Sequence, residues 1–157
     1  MPGLLTFAVE NNRLALMARD VQEVVRAVAT APLPGAPEPV VGVINVRGTL
    51  VPVLDIRARF GWTTTPLALE QHFILARAGP RLVALWVDRA LELLEVATEA
   101  ITAPDEVVPG ARYVGGVVRL ADGVLVIHDL ARFLSLDEAH ELDSVLATAE
   151  PAAGATT

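Results

Sequence analysis

The sequence contains no cysteine and no lysine. The missing cysteine excludes disulfides, thiol catalysis and cysteine-based metal sites together, and fits a reducing compartment. The missing lysine excludes a Walker-type phosphate loop and a Schiff-base or ammonium nucleophile. Aromatic residues are only 4% of the chain, so aliphatic packing must hold the fold. No apolar stretch approaches the roughly 20 residues that span a bilayer. The opening MPGLLTFAVENNR has no basic n-region and only a short apolar run. No signal peptide is expected, and the chain reads as a soluble cytoplasmic protein.

What the chain does have is aliphatic residues and acid. Of its 157 residues, 53% are hydrophobic and the net charge is -7. This length supports one domain with a real core, or two small halves that share one. An acidic chain without a run of arginines is a poor partner for nucleic acid or an anionic membrane.

Leu4–Val9 reads as a strand, Asn11-Asn12 as a hairpin turn and Arg13–Ala18 as the return strand. Asp20–Val28 reads as a helical turn capped by Asp20 that runs into a strand. APLPGAPEP (31–39) holds four prolines and a glycine and is an exposed loop. Val40–Val46 and Leu50–Leu54 are strands around Arg47-Gly48-Thr49, and Pro52 belongs at a sheet edge or bulge. Residues 55–61 read as a short helix with Asp55 as N-cap and Gly61 beyond its end. Trp62–Glu70 and Thr98–Arg112 are further loops, and Asp88–Val96 is a short amphipathic stretch. His72–Ala78 and Arg81–Val87 form a hairpin across Gly79-Pro80; Val114–Leu120 and Val124–Ile127 form another across Ala-Asp122-Gly123. Ser135-Leu-Asp-Glu138 is a capping box for a helix over 136–149, and residues 151–157 are expected to be disordered.

The chain also echoes itself. GVINVRGTLVPVLDIRARF matches GVVRLADGVLVIHDLARFL, with Gly42 to Asp55 and Gly116 to Asp129 equally spaced. LALMARDVQEVV (14–25) aligns without a gap to VALWVDRALELL (83–94). Two β-rich units result, roughly 4–60 and 73–134, in one domain over 1–150. Short strands at this spacing argue for small antiparallel barrels.

Catalytic groups are thin. Ser135 and Ser144 belong to the C-terminal helix, outside any nucleophile elbow. His72, His128 and His140 form no metal-ligand pair. His128 beside Asp129 could serve a small enzyme or ligand-binding barrel, but a packed strand-end histidine explains it more simply. Asp55 and Asp129 are explained as helix caps, and Asp137, Glu138, Glu141 and Asp143 as a solvated helix face. No metal, cofactor or catalytic residue is expected. Arg47 is different: it stands at a turn between apolar strands, near Gly42 and Gly48. It has the composition of an interface anchor, and an ordinary solvated hairpin-tip arginine remains an equal alternative.

The run from Pro37 to Arg57, P-x-x-x-x-G-V-I-N-V-R-G-T-L-V-P-V-L-D-I-R, resembles the signature of CheW-like domains of bacterial chemotaxis. LLTFAVENNRLAL, DVQEVV, VALWVDRALELLEV and YVGGVVRLADGVLVIHDLARFL follow the family pattern in order, so the resemblance covers about residues 4–135. It implies a mainly β fold: two intertwined, five-stranded, SH3-like β-barrels sharing a hydrophobic core, plus a C-terminal α-helix. It implies no enzymatic activity. The implied role is an adaptor between chemoreceptors and a CheA-type histidine kinase, or in a related pathway controlling surface motility or second-messenger output. The receptor-side residues it implies are Val21, Gly42, Asn45, Arg47 and Gly48; Val40, Val41 and Leu50 would face the kinase. The implied location is cytoplasmic, at membrane-associated receptor arrays. His128 departs from the family, which usually has an apolar residue there.

Overall fold

The computed structural model describes residues 1–63, 65–103 and 114–155. Its strands are β1 (Gly3–Val9), β2 (Asn12–Met17), β3 (Val21–Arg26), β4 (Val40–Val46), β5 (Thr49–Asp55), β6 (His72–Ala78), β7 (Arg81–Val87), β8 (Arg89–Glu95), β9 (Ile101–Thr102), β10 (Val114–Leu120) and β11 (Gly123–His128). Among the described residues two α-helices accompany them, α1 (Ile56–Phe60) and α2 (Leu136–Ala155).

The strands form two sheets, ordered β3-β6-β7-β5-β4 and β8-β1-β2-β11-β10-β9. Each sheet draws strands from both sequence units. The hairpin β1–β2 leaves the first unit and joins β8, β10 and β11; the hairpin β6–β7 leaves the second and joins β3, β4 and β5. Under the internal repeat, β1 to β5 correspond to β6, β7, β8, β10 and β11. Replacing each strand by its counterpart converts one sheet order into the other, apart from the two-residue β9. The parallel pairs correspond too: Asp55 lies opposite Trp86 where β5 meets β7, and Ile127 lies opposite Ala15 where β11 meets β2. The architecture is two intertwined SH3-like barrels.

This exchange buries the donated hairpins on both faces. Phe73, Leu75, Ala84 and Trp86 point into one barrel with Ile44, Val51 and Val53. Their neighbours Ile74, Ala76, Val83, Leu85 and Val87 point the other way, into a shared core with Leu5, Phe7, Val9, Leu14, Leu16, Leu54, Phe133 and Leu142. A third cluster, Leu4, Ala15, Val118, Leu125 and Ile127, fills the second barrel. Strands buried on both faces read as continuous aliphatic runs, as β6 and β7 do.

Some local expectations change. The helical turn Ala18–Asp20 precedes β3 and ends at Asp20, which does not cap it. Asp88–Val96 contains strand β8. Pro52 lies in β5, an interior strand, opposite Val43. Val43 spends its backbone groups on Ala31, and the β5–β7 ladder begins only at Val53, so the missing proline N–H breaks no bond. The positive φ of the first hairpin falls on Glu10 (56°), and the turn residues are Glu10 and Asn11. The loop read over 98–112 opens with a 3-10 turn at Thr98–Ala100 and with β9; its remainder from 104 lies outside the described residues. Helix α2 continues past the expected end at 149, so residues 151–155, read as disordered, are helical up to Ala155. The capping box forms reciprocally: Glu138 N–H donates to Ser135 Oγ and Ser135 N–H to Glu138 Oε1.

One polar cluster is buried where the barrels meet. Arg57, at the start of α1, is fully buried, as is Asp55. The Arg57 guanidinium donates to Asp88 (2.6 Å) at the β7–β8 corner, lies 3.5 Å from Asp55 and 3.7 Å from Glu10, and stacks over Trp86 at 4.9 Å. Glu10 N–H also donates to Asp88, and Gln71 links Asp88 to the Trp86 indole. A buried cation needs opposite charge close around it. Arg57→Ala should cost about 3–5 kcal/mol, because it strands the buried Asp55 carboxylate and empties a buried site. Urea denaturation measures this; a loss under about 1 kcal/mol would contradict the structural role.

Candidate partner-binding surface

The β4–β5 hairpin shapes the candidate site. Its two turn residues, Arg47 (φ 49°) and Gly48 (φ 90°), both have positive φ, as tight primed hairpin turns require. Asn45 secures the turn by accepting the Gly48 N–H through Oδ1 at 2.7 Å. The Asn-x-Arg-Gly pattern is therefore a turn as well as a motif. Arg47 is 69% exposed on its side chain and donates to Glu23 of β3 at 2.5 Å. β3 and β4 are the two edges of their sheet, so this pair draws the edges together. An exposed ion pair adds little stability. Its guanidinium keeps donors free for a further acceptor.

The eight residues singled out by resemblance separate by burial. Asn45, Arg47, Gly48 and Val41 are exposed, and Leu50 and Val21 are half-buried. Leu50 lies opposite Asn45 in the ladder. Val21 sits two residues before Glu23 on β3 and packs against the shared core. Val40 and Gly42 are buried. The cause is a bulge: the register shifts between Val40 and Gly42, which turns Val41 outward and its neighbours inward. Val40 joins the shared core. A Cβ on Gly42 would lie 2.6 Å from Ala31 O and 2.8 Å from Thr30 Oγ1. The close approach at Gly42 is thus made by this chain's own backbone. The repeat has the same feature at Gly116, beneath Ile101.

Sequence reasoning did not find Glu23, the partner of Arg47, or the Arg57 cluster. Glu23 is remote in sequence from Arg47, and only barrel closure joins them. The sole available signal for Arg57 was its position just after a doubly buried strand.

His128 is buried within ring contacts of Phe60 (5.8 Å) and Phe133 (5.5 Å). Among the described residues neither ring nitrogen has a hydrogen-bond partner. Burial pushes its pKa from the ordinary 6.5 down to about 3. At Glu138, burial pushes the carboxyl up, but the Ser135 hydrogen bonds and the Arg59 guanidinium outweigh it and hold it below its usual value. Among the described residues, no group of three His, Asp or Glu is placed to hold a metal ion, and no helix is long and apolar enough to cross a membrane.

These features define a class: a mainly β protein of two intertwined SH3-like barrels with a C-terminal helix and an exposed arginine turn on one barrel. The model of the CheW-like domain matches residues 3–138, and the chain belongs to the CheW-like family. The chemotaxis protein CheW of Rhizobium meliloti (strain 1021) is 30% identical over 147 residues, covering 94% of this chain and 88% of that protein. That of Treponema pallidum (strain Nichols) is 26% identical over 145 residues, covering 88% and 85%. The crystal structure of the scaffolding protein TtCheW from Thermoanaerobacter tengcongensis superposes with a TM-score of 0.79 at 26% identity, over 88% of this chain and 96% of that one.

His128 gives a pH prediction. Between about pH 6.5 and 3 the unfolded chain binds a proton that the folded chain refuses, so His128 contributes stability above 6.5 that is lost as pH falls. His128→Leu removes this loss. The stability gap between variant and wild type should widen by about 1 kcal/mol for each pH unit below about 6.5. Denaturation curves at successive pH values test it; a pH-independent gap would contradict it.

Proposed function

We propose that this chain is a non-catalytic chemotaxis adaptor that joins the cytoplasmic tip of a chemoreceptor to a CheA-type histidine kinase. The observation that carries this reading is the Arg47-Gly48 turn. It is exposed, shaped by Asn45, braced by Glu23 and not needed to fill any core. A charged side chain held at the rim of apolar strands suits an interface anchor. The relatives point the same way, being chemotaxis proteins and a scaffolding protein.

The receptor-side surface in this reading comprises Asn45, Arg47, Gly48 and the half-buried Val21. Gly42 acts from beneath, by letting Thr30-Ala31 cross against β4. The kinase-side surface comprises Val41 and Leu50, with Val40 holding the bulge that exposes Val41. The intertwined core fixes both surfaces on one rigid body, as a bridge requires. The protein acts in the cytoplasm, recruited to receptor arrays.

Arg47→Glu should leave the melting temperature within what about 0.5 kcal/mol produces, because the side chain is exposed. It sets two carboxylates side by side at Glu23 and should weaken receptor-tip binding at least about tenfold, the effect of losing a charge-assisted contact. Titration against purified receptor tips, with kinase activity as a second readout, tests it. Unchanged binding and unchanged kinase control would overturn the reading.

A further inference from the structure

The repeat gives the buried Arg57 cluster a counterpart. Extending the strand correspondence, Asp55 maps to Asp129, Arg57 to Ala131, Trp86 to Met17, Asp88 to Arg19 and Glu10 to Gly79. These five counterparts all line one cavity of about 460 Å³ between the barrels. At the first junction a guanidinium fills the space. At the second junction the residue in its place is alanine, the aspartate at the corner has become arginine, and the space is open.

The charge has changed with the shape. Arg19 and Arg77 both line the cavity. Among the described residues neither lies within ion-pair distance of a carboxylate. Asp129 is already engaged: its Oδ1 accepts the Ala131 N–H at 3.1 Å, and its Oδ2 lies 3.3 Å from Arg132. Asp20 is the remaining carboxylate on the wall. Two guanidiniums thus stand against one uncommitted carboxylate, over an apolar wall of Met17, Ile101 and Leu130. Both side chains are exposed, and Arg77 Nη1 donates weakly to the Pro80 carbonyl at 3.4 Å, which leaves most guanidinium donors on this wall available. Ligand cavities combine an apolar lining with a few polar groups, and guanidiniums favour carboxylate or phosphate.

We propose that this inter-barrel cavity binds a small organic anion, its carboxylate or phosphate group held by Arg19 and Arg77. The first junction shows what the space accommodates: a planar charged group stacked on the residue at the Met17 position. The site is separate from the Arg47 turn, and the inference does not rest on the adaptor role.

Succinate and inorganic phosphate, titrated separately into the full chain by calorimetry and amide NMR, test the proposal and distinguish carboxylate from phosphate recognition. Saturable binding of at least one probe at millimolar concentration is expected. The Arg19→Ala, Arg77→Ala double variant should bind at least about tenfold more weakly, as loss of charge-assisted hydrogen bonds predicts. Asp20→Asn should bind more tightly. Ala131→Glu places a carboxylate where Arg57 enters at the other junction, so it should abolish binding while the melting curve stays native. All four substitutions fall at positions that are exposed or half-buried, which favours folded variants. Absence of saturable binding of both probes would overturn the proposal. So would binding that is unchanged in natively melting double and Ala131→Glu variants.

Discussion

The exchange of hairpins between the two halves is the constraint on which the rest depends. Each barrel completes itself with two strands from the other sequence unit. Those strands cannot face solvent on either side. They need apolar residues along their central stretches, and β6 and β7 supply them as FILA and VALWV. The high aliphatic content follows directly. The exchange also adds a core shared by the two barrels, since Ile74 and Leu85 from one sheet meet Leu5, Phe7 and Leu16 from the other. The barrels therefore hold a fixed relation without an interdomain linker.

The duplicated plan has diverged where chemistry matters. At one junction Arg57 fills the space between barrels, ringed by Asp55, Asp88 and Glu10. At the other, Ala131 leaves a cavity edged by Arg19. The tight turns diverge likewise: Arg47-Gly48 in the first barrel corresponds to Ala121-Asp122 in the second. Glu23 receives Arg47, whereas its counterpart Glu92 receives Arg13. Shared features, such as the buried glycines at the two bulges, serve the fold. The differences leave one barrel with an exposed cationic turn and one junction with an open space.

Much of this was legible in the sequence, for identifiable reasons. The hairpins carried turn residues, the helix α2 carried its capping box, and the repeat was visible in the spacing of Gly42 to Asp55 and Gly116 to Asp129. The intertwined arrangement came only through the family resemblance, because a repeat does not reveal which copy pairs with which. Pro52 misled, since its missing donor faces a stretch where no ladder has begun. Gly42 was singled out as a receptor-side residue only through the resemblance, and the structure closes it over with Thr30-Ala31. Arg57 was hidden because a buried arginine is identified by partners such as Asp88 and Glu10, which are distant in sequence. Asp55 was correctly read as a cap, accepting the Arg57 N–H at 3.0 Å, while its second task within the cluster went unread.

An adaptor must hold two partners at once, and a rigid shared core makes that geometrically simple. The surfaces proposed for receptor and kinase stand on the same barrel but on different residues, the Arg47 turn and the Val41–Leu50 side. The most direct measurement is analytical sedimentation of the chain with receptor tips and kinase regulatory domain, separately and together. The account predicts a ternary species containing all three components. Mutual displacement, with each partner expelling the other from the chain, would contradict it.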